Sequence, residues 1–160
     1  MTFLRIAFLL SLSAASSIRL PAQTFTDLKD LKQIKVVVEE LDSEAGSVGI
    51  TREALETQTV AALKRKMPKV EVKDSAVSYV YVHVITSLNG GWCAVRVVVQ
   101  LWRPVMLLKD DGDPIATTLA SVRDRGTTLT GPRKSIGAQV LADVTEKIKE
   151  MAADYNKANP

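Results

Sequence analysis

The fold turns on Tyr79-Val80-Tyr81-Val82-His83-Val84-Ile85, then Asn89-Gly90-Gly91, then Trp92-Cys93-Ala94-Val95-Arg96-Val97-Val98-Val99-Gln100-Leu101-Trp102. β-Branched and aromatic residues on both sides of an Asn-Gly or Gly-Gly turn are the strongest short-range sign of a β-hairpin. The stretch from Val77 to Leu108 is therefore expected to form two long antiparallel strands. With Asn89-Gly90 as the turn, Val84 pairs with Val95, Val82 with Val97 and Val80 with Val99. The opposite face then pairs Ile85 with Ala94, His83 with Arg96, Tyr81 with Val98, Tyr79 with Gln100 and Val77 with Trp102. A Gly90-Gly91 turn shifts every partner by two and leaves every side chain on its face, because strand side chains alternate with period two.

The two faces differ sharply. One is nearly all valine, joined by Cys93 and Leu101, and suits packing against helices. The other holds Tyr79, Tyr81, His83, Trp92, Arg96, Gln100 and Trp102. Six aromatic residues follow residue 22, and four of them lie on this face; Phe25 and Tyr155 are elsewhere. Tyr, Trp, Arg and His together give large contact area with polar tips, the composition enriched at protein interfaces. Cross-strand aromatic pairs also stabilise a sheet with no partner present, and the lead-in around Phe25 could fold over this face.

Outward from the hairpin, Ile34 to Leu41 alternates with Ile34, Val36 and Val38 on one side and Lys35 and Glu39 on the other, a strand pattern. Asp42 to Gly49 reads as a solvated loop, lacking the ligand series of a calcium loop. Thr51 suits a helix N-cap, with Ile50 and Leu55 placed as a hydrophobic staple. Leu55, Thr59, Ala62, Leu63 and Met67 form one stripe. Lys64, Arg65 and Lys66 match the negative end of the helix dipole, and Pro68 stops the helix. Val70 and Val72 make a short strand, expected to run parallel to the first through a right-handed crossover.

Beyond Trp102, Pro104 has no N–H to donate and predicts a bulge or sheet edge. Lys109 to Pro114 is a turn by composition, Ile115 to Arg123 a strand, and Arg123 to Gly131 a loop. Pro132 suits a first helical position. Ile136, Val140, Leu141, Val144, Ile148, Met151 and Tyr155 then mark one apolar stripe, with Asp143 and Lys147 paired on the other side and fraying from Asn156 to Pro160. The order β-α-β-β-β-β-α, with one stripe per helix, defines an α+β two-layer sandwich. Its mixed sheet has about five strands, with two helices on one face.

At 160 residues the chain fits one domain with a core of its own. Arg5, the apolar run from Ile6 to Leu10 and the small residues after it describe a signal peptide over residues 1–22, cleaved after Ala22 or, alternatively, Ala15. Residues 23–160 form the domain, expected in the periplasm or secreted. That cut removes Arg5 and Arg19, leaving 19 of the 21 basic residues against 18 acids. The whole-chain charge of +3 therefore predicts no nucleic-acid partner. Arg96, Gln100, Arg103 and Pro104 interrupt the later apolar runs, so no membrane span is expected. One cysteine allows no internal disulfide.

The chemistry of catalysis is sparse. His83 and Cys93, each the only one of its kind, project to opposite faces of one hairpin and cannot form a dyad. No Gly-x-Ser-x-Gly, phosphate-cradling loop or zinc ligand set is present, so no catalytic residue, cofactor or metal is expected. His83 reads as a sheet-surface histidine beside Arg96, and Cys93 as a small buried thiol.

Ile34-Lys-Val-Val-Val-Glu-Glu-Leu41, Gly49-Ile-Thr51 with Leu55, Tyr79-Val-Tyr-Val-His-Val84 and Ala116-Thr-Thr-Leu119 resemble a group of uncharacterised exported bacterial α+β proteins. More remotely, the element order is similar to periplasmic envelope-assembly domains such as the N-terminal domain of the Tol-Pal translocation protein. Related lipoproteins carry an anchoring cysteine that this sequence lacks. The resemblance implies a fold and a compartment, not an activity. The expectation is a non-enzymatic interaction or envelope-assembly accessory module, meeting an envelope protein or a second copy through the aromatic face. The alternatives are a small-molecule binding module, with its pocket between that face and the 115–131 loop, and, third, a hydrolase.

Overall fold

The computed structural model describes residues 28–109 and 112–160. The expected signal peptide, both cleavage points and Phe25 lie outside them. Strand β1 (Gln33–Val38) buries Ile34 and Val38, as its alternation requires. Residues 42–49 hold a short helix, α1 (Ser43–Ser47), where a loop was expected. Asp42 makes the difference: its carboxylate accepts from the backbone N–H groups of Glu44 and Ala45 at 3.0 and 2.8 Å, capping donors that a helix start leaves unpaired. Helix α2 (Arg52–Lys66) begins at the expected cap, with Thr51 Oγ1 accepting from Ala54 N–H at 3.2 Å. Its Leu55, Thr59, Ala62 and Leu63 are buried, and its last turn carries Lys64, Arg65 and Lys66. Strand β2 (Glu71–Val72) then lies parallel to β1.

The hairpin is β3 (Tyr79–Asn89) and β4 (Trp92–Leu108). Gly90-Gly91 forms the turn, with Asn89 opposite Trp92 and Gly90 at φ 59°, the left-handed position a two-residue hairpin turn requires. The Asn89-Gly90 pairing is thereby corrected: Val84 faces Val97, Tyr79 faces Trp102, Tyr81 faces Gln100 and His83 faces Val98. Every residue keeps its expected face. Val80, Val82, Val84, Cys93, Val95, Val97, Val99 and Leu101 are all buried.

The bulge expected near Pro104 lies beside it: the register shifts between Leu101 and Trp102, leaving Val122 extra on the partner strand. That partner, β5 (Pro114–Pro132), corrects a second expectation, because the 123–131 segment is strand and pairs with Cys93–Leu101. Arg-Asp-Arg-Gly has loop composition, but Arg123 and Arg125 reach Asp154 at 3.4 and 3.0 Å, which fastens this segment to the last helix. The sheet order is β2-β1-β3-β4-β5, with parallel pairs around β1 and antiparallel pairs after it.

Helix α3 (Arg133–Ala158) starts one residue after Pro132, which is its N-cap rather than its first helical residue. Its stripe is buried, except that Leu141 is half-buried. The Asp143–Lys147 pair forms at 3.7 Å, but Lys147 is buried rather than on the solvated side. The expected fraying is absent to Ala158. Asn159 donates from Nδ2 to the Leu28 and Tyr155 carbonyls at 3.1 and 2.9 Å and accepts from Asp30 N–H at 3.2 Å. Leu28 and Leu31 thus join the core from the helix side. Helices α2 and α3 pack on each other and on one side of the sheet, giving the α+β two-layer arrangement.

Candidate interaction face

Parallel pairing of β1 with β3 sets Lys35 beside Tyr79 and Val37 beside Tyr81, so Glu39 comes next to His83 on the same outer face. The Lys35 ammonium lies 5.7 Å from the Tyr79 ring centroid, and Tyr79 stacks on Trp102 with centroids 6.0 Å apart and planes 5° apart. The Trp102 indole N–H donates to Gln100 Oε1 at 3.1 Å, and Gln100 Nε2 donates to Asp124 Oδ2 at 2.8 Å. Glu39 holds the next row. Its Oε2 is 3.2 Å from His83 Nδ1, and it accepts a hydrogen bond from the Tyr81 hydroxyl. Burial first, and that hydrogen bond second, push the Tyr81 phenol up to about 12. His83 therefore has Glu39 as its polar neighbour, and Arg96 stands opposite Ile85 and Thr128 instead.

Five of the seven candidate residues, Tyr79, Tyr81, His83, Gln100 and Trp102, are half-buried by one another and by Lys35 and Glu39. Arg96 is exposed, and Trp92 is 62% exposed at the turn end. The hollow against Tyr79, Tyr81 and Trp102 measures only about 210 Å³, and the segment expected to wall it as a loop is strand β5. A larger one, about 540 Å³, lies on α2 along Glu53, Glu56, Val60 and Lys64.

Cys93 is buried on the opposite face from His83, as the hairpin parity requires. Burial pushes its thiol above the ordinary value, followed by the Glu44 carboxylate, so it stays protonated near neutral pH. Among the described residues no group of three or more His, Cys, Asp or Glu could hold a metal, and no helix is long and apolar enough to cross a membrane.

The alternation of Ile34 to Glu39 already placed Lys35 and Glu39 together; what the sequence left out was β1 as the neighbour of β3. It also missed the far end of this face, where Met106, Leu108 and Leu119 continue outward from Trp102.

Fold and face together define an α+β domain in which, among the described residues, the helices cover one side of the sheet. No family model matches the chain, and no curated protein matches it by sequence. Among solved structures, it is similar to a dodecamer of a single-site PelC variant from Paraburkholderia phytofirmans, at 16% identity. That comparison has a TM-score of 0.39 and covers 78% of this chain and 86% of that one. A likeness of this degree speaks to neither activity nor partner.

Proposed function

We propose that this chain is a non-enzymatic interaction module of the bacterial envelope, exported to the periplasm or beyond, that receives a partner protein on its outer sheet face. The observation that carries the reading is the outer face itself. Both long helices cover the other side of the sheet, while on the outer face Arg96 and, at the turn end, Trp92 stand exposed on the same strand that carries Trp102 into the aromatic row. Trp and Arg are enriched among the anchors that dominate protein association. The stacked rings lose little side-chain entropy on binding, since their neighbours already hold them. The resemblance of the element order to envelope-assembly domains of the Tol-Pal type, read from the sequence, motivates this reading. A small-molecule module is less favoured, because the hollow at the rings is smaller than the roughly 300–1,000 Å³ of ordinary ligand pockets.

The test is affinity capture from envelope extract with three baits: the wild type, Trp92→Ala/Arg96→Ala, and Glu56→Ala/Lys64→Ala on the exposed side of α2. A partner retained by the wild type and the α2 variant but lost by the outer-face variant is expected. Identical capture by all three would sink the proposal.

A further inference from the structure

We infer that the turn end of the outer sheet face is a peptide-binding trough, which takes an extended segment of a partner protein carrying an aspartate or glutamate for Arg96. The inference rests on the reading of this face as an interaction surface and names the chemistry of what it receives. Three rows of side chains, set by the strand pairing, build the trough. Ser87, Ala94 and Thr130 form a floor of small residues across β3, β4 and β5. Asn89 and Trp92 make one wall, and Ile85 and Arg96 make the other. The hollow over this floor, beside Trp92, measures about 320 Å³.

Its dimensions suit one extended chain. Alternate residues of a strand are roughly 7 Å apart, so the two walls stand about 14 Å from each other along β4. The Trp92 and Arg96 side chains narrow that gap to the width of a single peptide. Three strands at about 4.8 Å spacing make the floor about 10 Å long, the span of three residues of such a peptide. Trp92 and Ile85 are 62% and 48% exposed, one on each wall. An apolar side chain lodged over Ala94 would cover part of both.

The polar groups separate this end from the rest of the face. Around the aromatic row the charged groups are answered within the chain: Lys35 by the Tyr79 ring, Glu39 by His83 and Tyr81, and Asp124 by Gln100. At the turn end, among the described residues, no intramolecular hydrogen bond engages the side chains of Ser87, Asn89 or Thr130, and no carboxylate pairs with Arg96. Two hydroxyls and a carboxamide both donate and accept, which matches the N–H and C=O groups of a peptide backbone.

Charge selects the occupant. Arg96 is the only Lys or Arg on the outer side of β3, β4 and β5. One guanidinium binds one carboxylate through two parallel hydrogen bonds. A nucleic acid or an anionic membrane surface calls for several cations together, which this face does not offer. A small free carboxylate would use Arg96 and leave the Trp92 wall and the floor uncovered. On the β3 side, Asp42 and Glu44 are taken up by the Thr86 and Leu88 N–H groups. The acidic residue of the segment is therefore expected toward β5, away from those two carboxylates.

Selection of displayed random peptides, about twelve residues long, on the immobilised full chain tests this. The wild type should enrich Asp or Glu at one position with an apolar residue beside it. Arg96→Glu should exchange that acid for Lys or Arg, because like charges would otherwise be opposed. It should also weaken the best wild-type peptide at least about tenfold, with an unchanged urea transition. Trp92→Ala should lose the apolar preference and keep the acid. No enrichment on the wild type, enrichment without an acidic position, or acidic peptides that Arg96→Glu binds equally well would each overturn the inference. A wild-type dimer in sedimentation that Arg96→Glu splits would put a second copy in the trough, and would overturn it too. Capture of an envelope partner that depends on Trp92 and Arg96, together with peptides lacking an acid, sinks this inference alone; failure of capture and selection together sinks the interaction reading as well.

Discussion

Replacing Asp42 by alanine should cost this small domain about 3 kcal/mol. One oxygen of the Asp42 carboxylate accepts from Glu44 and Ala45 N–H at 3.0 and 2.8 Å, capping α1. The other accepts from Thr86 N–H at 2.7 Å, on the stretch of β3 that runs past the end of β1. Loss of an N-cap costs about 1 kcal/mol. Loss of a charged acceptor from a backbone N–H costs about 1.5–3 kcal/mol, and Thr86 is buried, so water replaces it poorly. Asp42→Asn keeps one acceptor but sets an amide donor against the other site, and should lose about half as much. Urea unfolding followed by tryptophan fluorescence measures both, and native-state hydrogen exchange reports the Thr86 amide directly. Asp42→Ala should expose that amide to exchange. A loss below about 0.5 kcal/mol with Thr86 still protected would refute the claim that Asp42 closes this edge.

A methyl group on Gly137 would sit 2.5 Å from the Val48 carbonyl oxygen and 3.4 Å from Gly49, so α3 and the end of α1 would have to part. Gly137→Ala should therefore destabilise by about 1 kcal/mol in urea, because overpacking outweighs the gain in helix propensity; a stabilised variant would contradict this. The Tyr81 phenol, raised to about 12, holds its proton more tightly folded than unfolded, so its contribution is complete below pH 10 and is lost as pH rises from 10 through 12. Urea midpoints at pH 9 and pH 11 should fall further for the wild type than for Tyr81→Phe, and equal falls would exclude Tyr81 as the source.

Legibility followed the range of the interactions. The hairpin faces, the Thr51 cap and the α2 and α3 stripes rest on neighbours a few residues apart, and the sequence carried them; the parallel β1–β2 unit followed from the crossover rule. The turn was ambiguous between Asn89-Gly90 and Gly90-Gly91, yet parity made the ambiguity harmless. The misreadings share a cause. Asp42 and Glu44 looked solvated because the groups they hold, Thr86 and Leu88 N–H, are 44 residues away. Arg123 to Gly131 looked like loop because its order comes from β4 and from Asp154. Asn159 looked frayed because its partners, Leu28 and Asp30, lie at the other end of the described chain.

By itself, the sequence determined which side of each strand and helix is apolar, since that depends only on periods of two and 3.6 residues. It thereby determined an α+β sandwich and the separation of His83 from Cys93. Only the tertiary structure decided that β1 lies beside β3 and that residues 123–131 pair with β4. That choice brought Glu39 to His83 and Tyr81, turned most of the aromatic face into a self-supporting row, and let β4 and β5 run on past β3 as an exposed arm. The adjacency of strands that no tight turn joins is set by how the whole sheet closes over its helices, and no local pattern carries it.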